Sequence, residues 1–337
     1  MAKPLIAILI PAFNAEEWIA DSLQSALEQT WDRTEIIVVD DGSQDRTLAI
    51  ASQFASRHVV VVTQQNQGAA AARNKALSLS QGDYIQWLDA DDLLAPDKIA
   101  RQVDVLAEIG TRTLLSSEWG RFLYRPTHAH FEPTALWCDL TPVEWLIRKM
   151  SQNLYMQTAT WLVSRELTEA AGPWNTELLG DDDGEYFCRV LLESDGVRFV
   201  PQAKVLYRMT GTRRLSYVGT SHRKMDAQLR SMELHMSYLR RLEDSDRSRL
   251  ACVLYLENWL NHFYPHRPDI VLAMKTRAKS LGAEIGLPKW SWKYSWIARM
   301  FGTSVARRAQ TRAQLSRWAV QRWWDKVLAH RGEAEVR

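Results

Sequence analysis

Two acidic segments contain the side chains of this sequence that are best suited to chemistry. The first, Asp89-Ala90-Asp91-Asp92, places three carboxylates within four residues. Such groups repel one another unless solvent or a cation offsets their charge. Mg²⁺ and Mn²⁺ prefer oxygen ligands of this kind and are often held by one or two carboxylates together with substrate phosphates. The alternative is a helix start, in which an aspartate caps the helix that follows.

The second acidic segment runs from Gly180 to Glu185 and contains four acids in five residues. A carboxylate at this point could act as the general base for a hydroxyl nucleophile. The alternative is an acidic helix N-terminus that interacts favourably with the helix dipole. That effect accounts for one or two of the acids and leaves the others in need of a reason.

Two more segments are suited to a nucleotide. In Asp40-Asp41-Gly42-Ser43-Gln44-Asp45, an aspartate could accept a hydrogen bond from a base or a ribose, or the segment could simply be a tight turn with Ser43 or Asp45 as helix cap. Farther along, Gly68 would let the backbone approach a ligand at a helix entrance, and Arg73 one turn later could reach a diphosphate. The alternative there is an alanine-rich helix with a solvated arginine.

Hydrophobic patterning predicts that these segments follow strands of one sheet. Short apolar runs predict four strands and the intervening segments predict helices, which together indicate βαβ units and a largely parallel sheet. The strands are expected at Leu5–Ile10, Glu35–Val39, Val59–Thr63 and Tyr84–Leu88, and the helices at Glu16–Gln29, Asp45–Ala55 and Ala69–Leu79. Ligands bind at the carboxyl ends of parallel strands, where Pro11–Asn14, Asp40–Gly42 and Asp89–Asp92 lie.

The rest of the chain has a different pattern. Strands are expected near 112–118, 156–164 and 198–208, helices near 142–151 and 182–194, and only helices after about residue 220. The 337 residues are 46% hydrophobic and 24% charged, which is typical of a globular protein rather than a disordered one. Three scattered cysteines exclude a disulfide framework, and no apolar run is long enough to cross a membrane. We therefore expect a cytoplasmic protein.

The order of these motifs resembles that of the inverting family 2 glycosyltransferases. The segments IPAFNAEEWI, EIIVVDDGSQDRT, NQGAAAARNKAL and GDYIQWLDADDLLAPDKI are similar to their nucleotide-binding half. The segment TATWLVSRELTEAAGPWNTELLGDDDGEYFCRVL is similar to their acceptor side. The resemblance implies an α/β GT-A fold, with a mostly parallel central sheet flanked by helices and a C-terminal helical extension. It implies a catalytic domain at 1–218, with nucleotide-binding and acceptor halves at 1–110 and 111–218, and a helical region at 219–337.

The resemblance also implies a role for each matching residue. Asp183 would be the catalytic base, with Asp182 and Glu185 as alternates, and Asp91 would hold a divalent metal, Mn²⁺ or Mg²⁺. The implied donor-binding residues are Pro11, Phe13, Asn14, Asp41, Gly68, Arg73, Asp89 and Arg208. Relatives often have a histidine shortly after the Tyr207-Arg208 strand, where Met209-Thr210-Gly211 stands here, so His222 is the remaining candidate for a third metal ligand.

The implied reaction is transfer of a sugar, with inversion, from a nucleotide diphosphate-sugar to a hydroxyl. The donor would be a UDP-sugar and the acceptor a saccharide or a lipid-linked saccharide, in the synthesis of a surface polysaccharide or a glycolipid. Two alternatives remain. A nucleotidyltransferase would normally show a glycine-rich loop with Arg and Lys near residue 12, where Pro-Ala-Phe-Asn stands. A non-catalytic scaffold that binds sugar or membrane would not need the acids of the two segments.

The C-terminal region from Lys289 is basic and rich in tryptophan. Between Lys289 and Trp324 there are eight Lys and Arg residues, no Asp or Glu, and six tryptophans. This composition favours peripheral contact with an anionic membrane through residues 289–328, because indole rings and cations both suit the interface. The alternative is that the tryptophans pack on the catalytic domain while the cations stay solvated. We expect no nucleic-acid binding, because no recognised module accompanies the charge.

Overall fold

A nine-stranded mixed sheet forms the centre of the protein in the computed structural model, which describes residues 3–210, 221–287 and 292–335. The strands are β1 (Ile6–Ala12), β2 (Thr34–Asp40), β3 (Val59–Thr63), β4 (Tyr84–Trp87), β5 (Leu93–Leu94), β6 (Thr113–Phe122), β7 (His130–Phe131), β8 (Leu162–Ser164) and β9 (Gly196–Arg208). Their order is β3-β2-β1-β4-β8-β6-β9-β5, with β7 paired to β6.

Twelve α-helices accompany the sheet in the described parts of the chain. They are α1 (Ile19–Leu27), α2 (Thr47–Ser52), α3 (Ala69–Leu79), α4 (Lys98–Asp104), α5 (Pro142–Gln152), α6 (Arg165–Ala171), α7 (Asp182–Glu193), α8 (His222–Leu242), α9 (Asp246–Phe263), α10 (Pro268–Ser280), α11 (Trp292–Phe301) and α12 (Thr303–Glu335). Local signals set several of their ends. For example, Thr141 accepts a hydrogen bond from the Glu144 amide at the start of α5, and left-handed Asn153 ends that helix.

The first half of the sheet is parallel. Strands β3, β2, β1 and β4 lie side by side in the same direction, so their carboxyl ends meet at one edge. Residues Ile6–Ile10 and Ile36–Val39 are almost completely buried. Strands that are covered on both faces need such continuous apolar runs. The parallel half therefore places the segments after β1, β2 and β4 next to one another.

The second half of the sheet places Asp89-Ala90-Asp91-Asp92, the DADD segment, next to the end of a distant strand. Strand β8 pairs antiparallel with β4, and β9 runs parallel to β6. Strand β5, which directly follows Asp92, pairs with β9 through Leu93 opposite Leu206. The carboxylates after β4 are consequently held close to Arg208, at the end of β9.

The predicted elements agree with this fold except at particular points. The first helix begins at Ile19 rather than Glu16, because the carbonyl of Ala15 accepts the amides of Trp18 and Ile19 in a turn. The second helix is limited to Thr47–Ser52. The strand expected near 156–164 is a 3₁₀ turn at Thr158–Thr160 followed by β8. The pattern gave no indication of β5, β7 or α6, which are short or lie beside longer elements.

The expectation of helices alone after about residue 220 is confirmed for residues 221–287 and 292–335. Buried residues of α8 and α9, such as Met232 and Phe263, belong to the same apolar cluster as Trp161 and Phe187 near the sheet. The helical region thus shares its core with the sheet, while a domain boundary at 218 stays a prediction. Across the described residues, none of the helices has the length and hydropathy that a membrane crossing requires.

The start of β4 packs against β1 with no space to spare at Gly82. A Cβ at this position would lie 2.6 Å from the Cβ of Ala7 and 2.6 Å from its backbone nitrogen. We expect Gly82→Ala to destabilise the protein by about 1–3 kcal/mol, since a backbone neighbour cannot move cheaply. Urea unfolding midpoints measure the effect. Gly110→Ala is the control, because a Cβ there meets nothing within 4 Å; equal midpoints for the two variants would contradict this packing.

Candidate active site

The DADD segment is a turn between β4 and β5. The amide of Asp92 donates to the carbonyl of Asp89 at 3.1 Å, and the next helix, α4, begins only at Lys98. The helix-start interpretation of this segment is therefore wrong. Asp92 is completely buried, and its carboxylate accepts hydrogen bonds from the Arg208 amide, at 2.8 Å, and from the Gln157 side chain. Asp92 therefore holds the segment in place.

Asp89 and Asp91 are the two carboxylates of the segment that remain for chemistry. Burial, followed by the nearby charge of Asp89, raises the pKa of Asp91 to about 6. One Asp91 carboxylate oxygen accepts a hydrogen bond from the Thr210 hydroxyl at 3.1 Å. The side chain of Asp89 is 30% exposed. The pair thus combines excess negative charge with access to solvent, which is a suitable donor set for a divalent cation that also binds phosphate oxygens.

Arg73 connects this segment to the second acidic segment. Its guanidinium lies 2.8 Å from Asp89 and 2.7 Å from Asp182, and the side chains of Arg73 and Asp182 are each only 6% exposed. The guanidinium also lies over the ring of Trp174, 4.4 Å from the centroid. The interpretation of Arg73 as a solvated residue is therefore wrong. Both of its terminal nitrogens bind carboxylates, so its charge is offset within the protein.

The remaining acids at the start of α7 have distinct partners. Asp181 has left-handed backbone geometry, with φ of 54°, and its carboxylate accepts from Gln228 at 2.9 Å and from Ser231 at 2.8 Å. Glu185 is buried and accepts from Arg189 at 2.8 Å and from the Tyr238 hydroxyl at 2.7 Å. These two acids therefore hold helices together rather than facing a ligand.

Asp183 differs from the acids around it. Its carboxylate accepts a hydrogen bond from the Thr158 hydroxyl at 3.3 Å. Burial raises its pKa to about 7, and the charges of Asp182 and Asp181 add to the effect, while Arg73 opposes it. A carboxyl group whose pKa lies near neutrality is suited to accepting a proton from a hydroxyl at physiological pH.

The loop after β2 is organised by Asp41. Its carboxylate accepts from the Gln64 side chain at 2.8 Å and from the amides of Gln67 and Gly68 at 2.9 and 2.7 Å. Gly42 has φ of +72°, and a Cβ there would lie 2.9 Å from the Asn66 nitrogen, so the turn requires glycine. Asp41 thereby fixes the entrance of α3, the helix that carries Arg73.

The loop after β1 lies beside this turn. The amide of Asn14 donates to the Ser43 hydroxyl at 3.0 Å, and the Asn14 side chain accepts the Gln44 amide at 2.9 Å. Phe13 is half exposed, and Pro11 is partly buried. The cap prediction for the next helix is wrong, because the N-cap of α2 is Arg46, which makes no side-chain cap hydrogen bond. Asp45, one residue earlier, accepts the Thr47 amide at 2.9 Å.

Arg208 is buried at the end of β9 and binds protein groups. It donates to the carbonyl of Asp91 at 2.8 Å and pairs with Asp21 at 2.9 Å. Its guanidinium lies between the rings of Trp18 and Phe122, 4.4 and 4.6 Å from their centroids. Arg208 therefore ties the DADD segment to the neighbouring loops.

Comparison with known proteins identifies the family of residues 7–154. The sequence model described as "Glycosyl transferase family 2" matches residues 7–154. Residues 7–154 are a family 2 glycosyltransferase domain. Over 109 residues the chain is 41% identical to the putative teichuronic acid biosynthesis glycosyltransferase TuaG of Bacillus subtilis, covering 32% of this chain and 43% of that protein. It is also 41% identical over 103 residues to chondroitin synthase of Escherichia coli, covering 30% of this chain and 15% of that protein.

Solved structures confirm the expected GT-A fold around this family 2 domain. TarS 1-349 of S. aureus, in complex with UDP-GlcNAc, has a TM-score of 0.65 at 16% identity, covering 82% of this chain and 81% of that chain. Mannosyltransferase PcManGT from Pyrobaculum calidifontis, in complex with GDP-Man and Mn²⁺, has a TM-score of 0.55 at 20% identity, covering 97% and 89%. The matched region of TuaG is less than half of its length, so these likenesses establish a family 2 match at residues 7–154 and the fold.

The geometry brings several of the predicted site residues together. Asp89 and Asp182 share Arg73, while Gln157 and Thr158 bind Asp92 and Asp183 from one short turn. Asp41 binds the N-terminus of α3, about one turn before Arg73. His222 is the exposed first residue of α8, and no group of three potential metal-binding side chains occurs within residues 3–210, 221–287 and 292–335. The predicted roles themselves stay predictions.

Several contributing residues were not indicated by the sequence. They are Asp21, Gln157, Thr158, Trp174 and Thr210. Each lies far along the chain from the acid or arginine that it contacts, and a single Thr or Gln in a mixed region carries no spacing signal. The family match also ends at residue 154, before the second acidic segment.

Substitution of Asp183 is expected to change the pH dependence of stability in the metal-free protein. The folded protein holds a proton on Asp183 up to about pH 7, whereas an unfolded chain releases it near the ordinary carboxyl pKa of about 4. The stabilising contribution is therefore complete below that ordinary value and is lost as pH rises through about 7. As pH rises from about 4 to about 8, the free energy of unfolding of wild type should therefore fall relative to that of Asp183→Asn.

Urea titrations at a series of pH values measure this difference. Asp104→Asn, which alters an exposed carboxylate outside the site, is the control for loss of a negative charge. A constant difference between wild type and Asp183→Asn across the range would show that Asp183 does not titrate near neutrality.

Proposed function

We propose that the chain is an inverting glycosyltransferase that moves a sugar from a nucleotide diphosphate-sugar to a hydroxyl of a saccharide or lipid-linked acceptor. The observation that carries this proposal is the bridge that Arg73 forms between Asp89 and Asp182. It links the carboxylates on the donor side to the residue next to Asp183. A donor diphosphate and an acceptor alcohol can then bind on opposite sides of the buried Arg73 guanidinium.

In this proposal Asp183 is the catalytic base. Asp182 is engaged by Arg73, and Glu185 by Arg189 and Tyr238, so Asp183 is the acid of this segment best able to accept a proton. The acceptor oxygen attacks the anomeric carbon as its proton passes to Asp183. The bond from that carbon to the diphosphate oxygen breaks on the opposite face, and the diphosphate leaves with the electron pair. One displacement inverts the configuration.

On the donor side, Asp91, supported by Asp89, would hold a divalent cation, Mn²⁺ or Mg²⁺. That cation supplies Lewis-acid stabilisation of the charge that develops on the leaving diphosphate. Arg73 sets the distance between the two acidic segments, and Arg208 fixes the DADD segment. A structural relative is in complex with Mn²⁺, which supports the assignment of the metal.

The loops after β1 and β2 would form the nucleotide pocket, with Pro11, Phe13, Asn14 and Gly68 lining it. The exposure of Phe13 leaves a ring face available for a base. Asp41 accepts two hydrogen bonds at Oδ1 and one, from the Gly68 amide, at Oδ2, so a base N–H would be accepted by the second lone pair of Oδ2. A UDP-sugar is the proposed donor, because TarS is in complex with UDP-GlcNAc.

The relatives suggest the class of acceptor. TuaG is described by its role in teichuronic acid biosynthesis, and another relative is a chondroitin synthase. We therefore propose a role in polysaccharide or glycolipid synthesis, with residues 1–110 as the nucleotide half, 111–218 as the acceptor half and 219–337 as a helical region. The family 2 match favours glycosyl transfer over nucleotidyl transfer, and the perturbed Asp183 favours an enzyme over a scaffold.

Turnover tests the central assignment. Asp183→Asn is expected to lower kcat by about 10²- to 10⁴-fold with a small change in KM, since general-base assistance contributes that much. Wild-type turnover should fall as pH drops through about 7, because the raised pKa leaves Asp183 protonated there. Release of nucleoside diphosphate is measured with Mn²⁺, after a thermal-shift screen of nucleotide sugars has identified the donor.

Asp104→Asn is again the control and should retain wild-type kcat. Absence of Mn²⁺-dependent diphosphate release with every nucleotide sugar in the screen would favour the scaffold. Wild-type kcat in Asp183→Asn, with release intact, would remove Asp183 from the mechanism and leave the family assignment in place.

We also propose that the C-terminal helices contact an anionic membrane. Trp296, Met300 and Phe301 of α11 are each more than half exposed, and so are Trp323 and Trp324 of α12, whose rings lie 5.1 Å apart. Exposed indoles beside cations suit a lipid interface. Lys289 to Ser291, where the basic region begins, lie outside the described residues.

Vesicle flotation tests the membrane contact. Trp323→Ala combined with Trp324→Ala is expected to reduce binding to phosphatidylserine-containing vesicles by about tenfold, because two aromatic anchors are lost. Leu250→Ala combined with Leu272→Ala, which removes two exposed leucines elsewhere, is the control and should bind as wild type. Equal recovery of wild type and the tryptophan variant with vesicles would exclude these indoles as anchors.

A further inference from the structure

Helix α12 docks on the sheet domain through charged side chains. Asp325 accepts hydrogen bonds from the amides of Tyr124 and Arg125 at 2.9 and 3.3 Å, and it forms an ion pair with the Arg125 guanidinium at 2.7 Å. Arg322 lies one turn earlier on the same face of the helix. The docked face is therefore polar, while Trp323 and Trp324 on other faces stay exposed. For this part of α12, the expectation of packed tryptophans and solvated cations is wrong.

The docked face covers the carboxyl ends of two neighbouring strands. Strands β6 and β9 are parallel, and Phe122 at the end of one lies opposite Arg208 at the end of the other. Arg322 donates to the Tyr124 hydroxyl at 3.0 Å and to the carbonyl of Thr210 at 2.9 Å. It thus joins the second residue after β6 to the second residue after β9.

Thr210 continues this chain of contacts into the site. Its hydroxyl donates to an Asp91 carboxylate oxygen at 3.1 Å, while the backbone carbonyl of Asp91 is fixed separately by Arg208 at 2.8 Å. The backbone of Asp91 and the direction of its carboxylate are therefore controlled by different residues. Thr210 orients this carboxylate, and Arg322 of α12 in turn holds Thr210.

We propose that Arg322 is a positioning residue, which holds Thr210 so that the Thr210 hydroxyl orients the Asp91 carboxylate. This inference rests on the proposed function, in which Asp91 holds the divalent cation. Residues that orient a metal ligand through a hydrogen bond commonly affect metal affinity by about 10- to 100-fold. A helix more than 100 residues away in sequence thereby becomes part of the donor site.

Binding of Mn²⁺ in the presence of UDP tests the inference without measuring turnover. Calorimetry or electron paramagnetic resonance gives the affinity. Arg322→Ala and Thr210→Val are each expected to weaken Mn²⁺ binding by about tenfold or more. The double variant should bind Mn²⁺ no more weakly than the more affected of the two single variants, since the two residues act in series. Arg317→Ala is the control, because it removes an exposed cation from the same helix.

A second variant separates docking from direct contact. Asp325→Asn removes the ion pair with Arg125 but touches neither Thr210 nor Asp91, and it should weaken Mn²⁺ binding in the same direction. Unfolding midpoints without metal show that each variant is folded. Wild-type Mn²⁺ affinity in Arg322→Ala, or additive losses in the double variant, would overturn the inference and leave the proposed function standing. If wild type binds no Mn²⁺ with UDP, the metal assignment and this inference both fail.

Discussion

The buried guanidinium of Arg73 is the contact on which the arrangement of the site depends. Asp89 follows a central strand and Asp182 begins a helix more than 90 residues later, yet both bind the same side chain. Burial of several carboxylates is costly unless a cation with good geometry offsets them. The planar fork of arginine can hold two carboxylates at a fixed separation. Stacking on Trp174 restricts the fork further, so the distance between the two acidic segments is set by one residue.

The partners of the acids divide them into two groups. Asp92, Asp181 and Glu185 accept hydrogen bonds from amides, hydroxyls or arginines, and they join elements of the fold. Asp91 and Asp183 instead accept hydrogen bonds from the Thr210 and Thr158 hydroxyls, and burial raises the pKa of both, as it also raises the pKa of Asp92. Groups in the second set gain most from a cation or from a proton taken up during reaction. The hydrogen-bond partners of each carboxylate, rather than its raised pKa alone, thus distinguish acids that hold the fold from acids that are available for chemistry.

The sequence was sufficient for the sheet and for the location of the acidic segments. Continuous apolar runs such as Ile6–Ile10 identify buried strands, and their carboxyl ends locate the loops that bear Asp41 and Asp89. The direction in which individual side chains point could not be predicted from the sequence. Nothing local distinguishes Arg73 from a solvated arginine, since its partners come from β4 and α7. Residues 158–160 form a 3₁₀ turn instead of a strand, and the Gln157 side chain caps this turn by accepting the Ala159 amide.

The left-handed conformation of Asp181 has a consequence for protein engineering. Gln228 and Ser231, both on α8, hold the carboxylate of Asp181, and this residue immediately precedes the acids of α7. A chimera that exchanged C-terminal regions at residue 218 would therefore separate Asp181 from its donors, even though the sheet would be intact. A junction placed after α9 would keep those donors with the sheet. Such hybrids would keep the hydrogen bonds that hold the start of α7.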